Sequence, residues 1–578
     1  MTYLAEKVNT MKALKNQFNP FFYTRRGLSA ARQAVLALTL SLGLFLSGCG
    51  EEKTAESPAA ETPKSSSSAP ALPVNGDALV FGSLGEPTNL IPALANDSAA
   101  SEINDRVFNG LLKIDKDLNI VPSLAERLEI SEDGLTFTFH LRKDVRWHDG
   151  KPYTSKDAMF TYEIMIDPKT ATSYAEPFKQ VKKAEAPDLY TFRVTYEKPQ
   201  ARAMVSWCFD QMPAHLLEGQ NLESSPLARQ PVGTGPYKFE KWESGQRLIL
   251  TANEDYFEGR PHLNKLIMKI IPDLNAQMLE LSSGGLDMMQ MTPDQYDEKL
   301  GDKNFKNKFN MFRYPAFSYT YLGFNFKSPL FQDKKVRQAI AYAIDKDEII
   351  DGVLLGLGTV ANGPFKPDSW TCNKNVKPYP YDVARAKALL AEAGWADSNG
   401  DGILDKDGKP FQFTIMTNQG NKVREQTGLI IQARLAEVGI KVNLRVIEWA
   451  AFLKEYLDKH NFEAVIMAWT VPVEPDLYDV WHSSKTREGE LNYISYKNEE
   501  VDKLIDDGRF TLDREKRKMA YDRIQEIFYE EVPYVFLYVP DALPVISSRI
   551  IGPEVHPAGI GKNLPQWHVP LDRQVYKQ

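Results

Sequence analysis

The sequence predicts a mixed α/β fold, and three patterns carry that prediction. Residues 411–469 switch between strand and helix periods in the order β-α-β-α-β. The stretch Leu135–Leu141 alternates strictly, setting Phe137, Phe139 and Leu141 on one face of a strand. From Asp333, a capping residue, Val336, Ile340, Ala343 and Ile344 recur at helical spacing. The composition, 43% hydrophobic, 25% charged and 11% aromatic, is ordinary for a globular protein and excludes wholesale disorder, collagen-like repeats and a multi-span membrane protein. A chain of 578 residues is long enough for several cores, since single cores stop growing at roughly 250–300 residues. A net charge of −8 argues against a nucleic-acid partner held by phosphate neutralisation.

In chain order, the first 48 residues read as an address. Arg25, Arg26 and Arg32 precede the uncharged run Ala34–Leu46. As a helix that run spans about 20 Å, against about 30 Å for a bilayer core, so it suits a secretory h-region better than a membrane anchor. The basic segment is long enough to be compatible with translation starting at Met11. Leu46-Ser47-Gly48-Cys49 resembles the lipobox of bacterial lipoproteins, which implies cleavage after residue 48 and acylation of Cys49. Residues 49–75 read as a disordered tether, since the stretch has almost nothing bulky and apolar to bury. Its reach as a coil is roughly 30 Å. The processed chain is more acidic still and has no polybasic patch to hold it on anionic lipid.

Asp133-Gly134 and Asp149-Gly150 supply turns on either side of the 135–141 strand. In the 411–469 region, Phe411–Met416, Lys441–Ile447 and Phe462–Trp469 are strands. Val423–Val438 is a helix stopped by Gly439, and Ala450–Leu457 is a short amphipathic helix. Such a unit implies parallel pairing, and ligands bind beyond the carboxyl ends of parallel strands. Asn418-Gln419-Gly420-Asn421, Glu448-Trp449 and Trp469-Thr470 fall there, so Asn418, Trp449 and Trp469 are candidate ligand contacts.

No G-x-S-x-G, H-E-x-x-H, P-loop, C-x-x-C or dinucleotide fingerprint is present. Neither a metal site nor a cofactor is expected. An exported hydrolase with a carboxylate pair stays open as an alternative, because such pairs have no fixed spacing. Asp397–Asp405 resembles the front of an EF-hand loop, but Gly408 stands where the bidentate acid belongs, which favours a plain Asx/Gly turn. Cys208 and Cys372 are expected as buried thiols, although an exported chain permits their pairing.

Several segments carry a wider resemblance: Asp133–Gly150 followed by Lys156-Asp157-Ala158, Pro231–Tyr237 with Asn253–Tyr256, Gly285–Asp287, Tyr321–Asn325 and Val336–Ile340. Together they resemble the extracytoplasmic solute-binding proteins, family 5, of peptide and nickel ABC importers, over essentially the whole globule. The resemblance implies a two-lobed, three-subdomain fold of the periplasmic-binding-protein type with the ligand cleft between lobes. Lobe I would comprise residues 76–289 plus 536–578, with an extra subdomain at about 115–225, and lobe II residues 290–535. It implies a binder rather than an enzyme, monomeric, lipid-anchored on the outer face of the cell membrane or in the periplasm, and delivering its solute to an ABC permease and ATPase complex.

In peptide binders of this family an aspartate shortly after the second tryptophan pairs with the peptide ammonium. Here Val471 stands at that position, and Ile466 replaces an expected arginine. Glu474 or Asp476 is then the expected replacement acid. The alternative is a ligand without a free amine, such as an oligosaccharide or metal chelate.

Overall fold

The computed structural model describes residues 73–172 and 174–576. The expected signal segment, Cys49 and the expected tether as far as Leu72 lie outside the described residues. The globule opens with strand β1 (Ala78–Ser83) and helix α1 (Ser98–Val107), the latter capped by Asp97, which accepts the Ala100 N–H at 2.8 Å. Next come β2 (Ala125–Ile130), β3 (Thr136–Leu141), α2 (Ser155–Ile166), β4 (Val181–Asp188) and β5 (Thr191–Tyr196). These strands form an antiparallel sheet in the order β2-β3-β5-β4. The chain continues through β6 (Tyr237–Glu243), β7 (Arg247–Ala252), β8 (Lys265–Ile270), α3 (Leu274–Ser283), β9 (Met288–Gln290) and β10 (Phe309–Met311). A long central part follows: β11 (Ser318–Phe324), α4 (Lys334–Ala343), α5 (Val383–Glu392), β12 (Gln412–Asn418), α6 (Lys422–Ala436), β13 (Lys441–Ile447), β14 (Ala464–Thr470), α7 (Glu499–Arg509), α8 (Arg514–Glu531) and β15 (Tyr534–Ala542). Strand β16 (Pro544–Ser547) returns to the beginning.

Two seven-stranded sheets define two lobes. The first runs β10-β16-β9-β1-β8-β7-β6. The second runs from the short strand Tyr314–Pro315 through β15-β11-β14-β12-β13, with Gly358–Val360 added beside β15. Their polarity fixes where a ligand can go. Strand β1 is parallel to β8 and β9, and β10 shares that direction because both β9 and β10 are antiparallel to β16. The chain leaves this sheet after Met311 and re-enters at Pro544, at the end where Ser83, Ile270 and Gln290 also lie. In the second sheet β12 is parallel to β13 and β14, and Ser318 pairs with Thr470. The chain therefore enters at Ser318, and leaves from Ala542, at the end where Asn418, Ile447 and Thr470 finish. The carboxyl ends of both parallel sets thus face each other across the crossing, the position at which open sheets bind ligands.

Sheet membership puts the crossing at residues 312–313 and 543, whereas the resemblance put it at 289/290 and 535/536. Strand β10 still belongs to the first sheet, and β15 lies wholly in the second, because β10 pairs with β16 and β15 with β11.

Local patterns explain the packing. Phe137, Phe139 and Leu141 are buried as their alternation requires, against Phe192, Val194 and Trp207. Each full burial of this kind is worth roughly 1.5–3 kcal/mol. In lobe II, Val336, Ile340, Leu390, Ile431 and Leu435 pack helices α4, α5 and α6 on one sheet face. The other face is aromatic: Tyr319, Tyr321, Trp481, Tyr534 and Phe536. Gly439, at φ 80°, ends the helical run in the left-handed region, where a side chain is disfavoured. One element differs from expectation. Phe452–Leu457 is a π-helix, its bonds Asp458 N–H to Leu453 and Asn461 N–H to Tyr456 skipping five residues.

Two of the segments that carry the resemblance meet at one joint. Gly233 and Gly235 run against the end of α1 so closely that a Cβ would come within 1.8 Å of the Val107 carbonyl oxygen and 2.5 Å of the Arg106 carbonyl oxygen. His148, from the other segment, accepts the Gly233 N–H at Nδ1 (3.2 Å) and donates from Nε2 to the Gly235 carbonyl (3.0 Å). Burial holds this imidazole down to about 4, from an ordinary 6.5. Between those values the unfolded chain takes a proton that the folded chain refuses. The stability is therefore complete above pH 6.5 and falls as pH drops towards 4, by about 3 kcal/mol. The His148 ring, followed by nitrogen NMR, is expected to stay neutral down to about pH 4. A folded His148→Asn variant should lose correspondingly less stability between pH 7 and pH 4.

Candidate functional site

Strands β12, β13 and β14 end side by side, and the residues after them lie on the side of lobe II that faces the crossing. Trp449 follows β13 and is 46% exposed, touching only the edge of the core through Phe452 at 6.4 Å between ring centroids. An indole left this open at the carboxyl end of a parallel sheet is not a packing residue. Trp469, the penultimate residue of β14, is different. Tyr493 and Tyr321 lie nearly parallel to it at 5.7 Å and 6.4 Å, and its Nε1 donates to the Tyr534 hydroxyl at 3.3 Å. It is the half-buried outer member of the aromatic core stack rather than a free platform.

Asn418 ends β12, and its Oδ1 accepts a hydrogen bond from Arg424 at 2.8 Å. Arg424 stands in the first turn of α6, beside the Met467 sulfur at 3.6 Å. It forms no ion pair with any carboxylate among the described residues, and burial lowers its guanidinium pKa from the ordinary value. Sequence reasoning missed Arg424. Its only local signal is a basic residue just after the amide-rich loop, whereas its lack of an acid is a fact of three dimensions. A desolvated cation with no acid paired to it, in the helix turn that follows the carboxyl end of β12, is suited to an anionic group.

The two acids expected to receive a peptide ammonium are already committed. Glu474 pairs with Arg517, and both side chains are largely buried. Asp476, with a side chain only 3% exposed, accepts a hydrogen bond from Arg202 at 3.0 Å and forms an ion pair with Arg509 at 3.3 Å. Facing two guanidiniums, it has no charge to spare for a third cation. Its role is instead to join the two halves of the molecule. Arg202 follows β5 of the antiparallel sheet, whereas Asp476 and Arg509 belong to lobe II. The contact continues in Ala201 N–H donating to the Arg509 carbonyl at 2.9 Å and in Lys198 lying 5.1 Å over the Phe510 ring. Asp476→Asn leaves the two guanidiniums opposed and largely desolvated. It should cost on the order of 2–4 kcal/mol in urea denaturation, whereas Glu488→Gln, at an exposed position, should cost little.

The acidic loop behaves as a turn: Asp397 accepts the N–H groups of Gly400 and Gly402, Asp401 that of Ile403, and Asp405 that of Ser398. Cys208 and Cys372 are free thiols, the first half-buried and the second buried. Among the described residues no group of three or more His, Cys, Asp or Glu is arranged to hold a metal ion. No helix among them is long and apolar enough to cross a membrane.

Known proteins share this architecture. The family model of the bacterial extracellular solute-binding proteins, family 5 (middle region), matches residues 119–490. Oligopeptide-binding protein AppA of Bacillus subtilis is 36% identical over 542 residues, covering 92% of this chain and 98% of the relative. Its structure in complex with a nonapeptide superposes with a TM-score of 0.76 over 86% of this chain and all of that one. NikZ of Campylobacter jejuni, solved in complex with Ni(L-His), gives a TM-score of 0.77 at 30% identity, over 85% and 99% of the two chains. Heme-binding protein A of Haemophilus influenzae is 29% identical over 91% of this chain and 97% of its own length. With opposed carboxyl ends, two lobes and this breadth of similarity, the chain belongs to family 5 of the bacterial extracellular solute-binding proteins.

Proposed function

We propose that this protein captures a peptide between its two lobes and hands it to the permease and ATPase of an ABC importer. The observation that carries the reading is the pairing, on one cleft wall, of an acid-free, desolvated guanidinium at Arg424 with an open indole at Trp449. A carboxylate-bearing chain with apolar side groups satisfies both, whereas a neutral oligosaccharide leaves the guanidinium unpaired. The likeness along the whole chain to an oligopeptide-binding protein supports the same ligand class. The ligand touches both lobes only when they approach, so binding shifts the population towards the closed form. Within this reading the protein acts as a monomer and a binder. It is held at the membrane by acyl groups on Cys49 and given reach by the 49–75 tether. Several acyl chains on one residue suffice for stable attachment, where one would be marginal.

Calorimetric titration with unmodified tri- to nonapeptides tests the ligand. Submicromolar binding of some peptides is expected, and its absence alongside tight binding of nickel–histidine or an oligosaccharide would overturn the peptide reading. Trp449→Ala should weaken peptide binding by about 1–3 kcal/mol with an unchanged melt, whereas Trp469→Ala should lower the melt as well. For the anchor, Cys49→Ser should move the protein from the membrane to the soluble fraction; unchanged processing and retention would refute acylation there.

A further inference from the structure

The cleft wall contributed by lobe I has its own charge pattern. A cavity of about 320 Å³ opens at the carboxyl end of β1, bounded by residues 82–86, the first turns of α1 and the start of α3. Three acids line it. Glu86 is satisfied by Trp242 Nε1 (2.5 Å), Ser244 Oγ (2.8 Å), the Gly245 N–H (3.2 Å) and Arg229 (3.2 Å). Asp97 is satisfied by the Ala100 and Thr88 N–H groups and by the Thr88 hydroxyl. Glu102 has neither a hydrogen bond nor an ion pair among the described residues, and Arg106, one turn on, does not close one with it. Helix α1 buries Ala99, Ala100, Ile103, Asn104 and Val107 against the lobe, so Glu102 stands off that face and borders the cavity. Hemmed in by protein, its carboxyl is pushed above the ordinary range by desolvation.

We propose that Glu102 is the acid that receives the α-ammonium of the bound peptide, in place of an acid after the second tryptophan. This rests on the peptide reading above and adds the ligand's direction. Glu474 and Asp476 are consumed by Arg517, Arg202 and Arg509, so the counter-charge must come from another element. The topology turns the end of β1, and with it this cavity, towards lobe II. The peptide then lies with its amino end on lobe I at Glu102 and its carboxyl end towards lobe II at Arg424. Glu102 on lobe I and Arg424 on lobe II each offer an unpaired charge, and a zwitterionic chain satisfies both only when the lobes close on it.

The test is calorimetry on the intact protein with matched free, N-acetylated and C-amidated peptides of three to nine residues. The wild type should prefer the free amine by on the order of tenfold to a hundredfold, the range of a charge-assisted hydrogen bond. Glu102→Gln should bind free and acetylated peptides alike while still preferring the free carboxyl. Arg424→Gln should show the reverse pattern. Glu102→Gln should melt at or above the wild-type temperature, since it removes an unpaired desolvated charge; Glu102→Ala serves as the second variant. A Glu102→Gln protein that keeps the full amine preference would overturn the proposal and leave the peptide reading intact. A wild type that binds no peptide would overturn both.

Discussion

Everything about the cleft follows from one constraint: among the described residues, the chain passes between the two main sheets twice, at adjacent points. The two passages are tied to each other. The Phe312 N–H donates to the Pro544 carbonyl and the Ala316 N–H to the Pro540 carbonyl, each at 2.9 Å. Arg313 bridges to Asp541 at 2.5 Å, with the Asp541 side chain only 5% exposed, and reaches the Gly356 carbonyl at 2.7 Å. Rotation of one lobe against the other must run through these few residues, since hinges are short segments that absorb the change in φ and ψ. Because both sheets meet this junction at the carboxyl ends of their parallel strands, closing the hinge brings loop against loop and leaves the hydrophobic cores untouched.

A second set of contacts bridges the halves away from the hinge, where Asp476 sits between Arg202 and Arg509. Its geometry explains why the acids after the second tryptophan are poor ligand groups. A carboxylate already shared by two guanidiniums gains little from a third cation and would abandon existing partners to meet it. Specificity in such a cleft is set by the charges that remain unpaired.

Much of the fold was legible locally. The alternation at Phe137, Phe139 and Leu141, the helical spacing after Asp333 and the glycine stop at Gly439 are short-range patterns, and the structure places them as the patterns require. The crossing was misplaced because β10 is only three residues long, too short to show a period, and because β15 is a mostly buried run that alternation cannot assign to a lobe. The candidate site was legible only as strand ends, at the carboxyl side of the parallel set, and not as chemistry. The partners of Glu474 and Asp476 lie 43, 274 and 33 positions away, at Arg517, Arg202 and Arg509. No sequence window joins residues so far apart. The same blindness hid Arg424, which is notable for the partner it lacks.

Lobe I also depends on an assembly of distant segments. Arg549 bonds Asp287 through two nitrogens (2.7 and 2.5 Å) and Asp77 through a third (2.5 Å), while Asp77 also accepts the N–H groups of Val575 and Tyr576. The first residues of the globule are thus sealed by some of its last, about 500 positions later. During synthesis and export the early strands cannot complete their sheet, since β16 and the 549–576 segment emerge only after all of lobe II. Lobe II, contiguous from 314 to 542, can finish first, which reverses the usual amino-to-carboxyl order of domain folding. Until its closing segment arrives, lobe I remains an unfinished half-sheet, its strands β9 and β10 lacking the neighbour that β16 supplies.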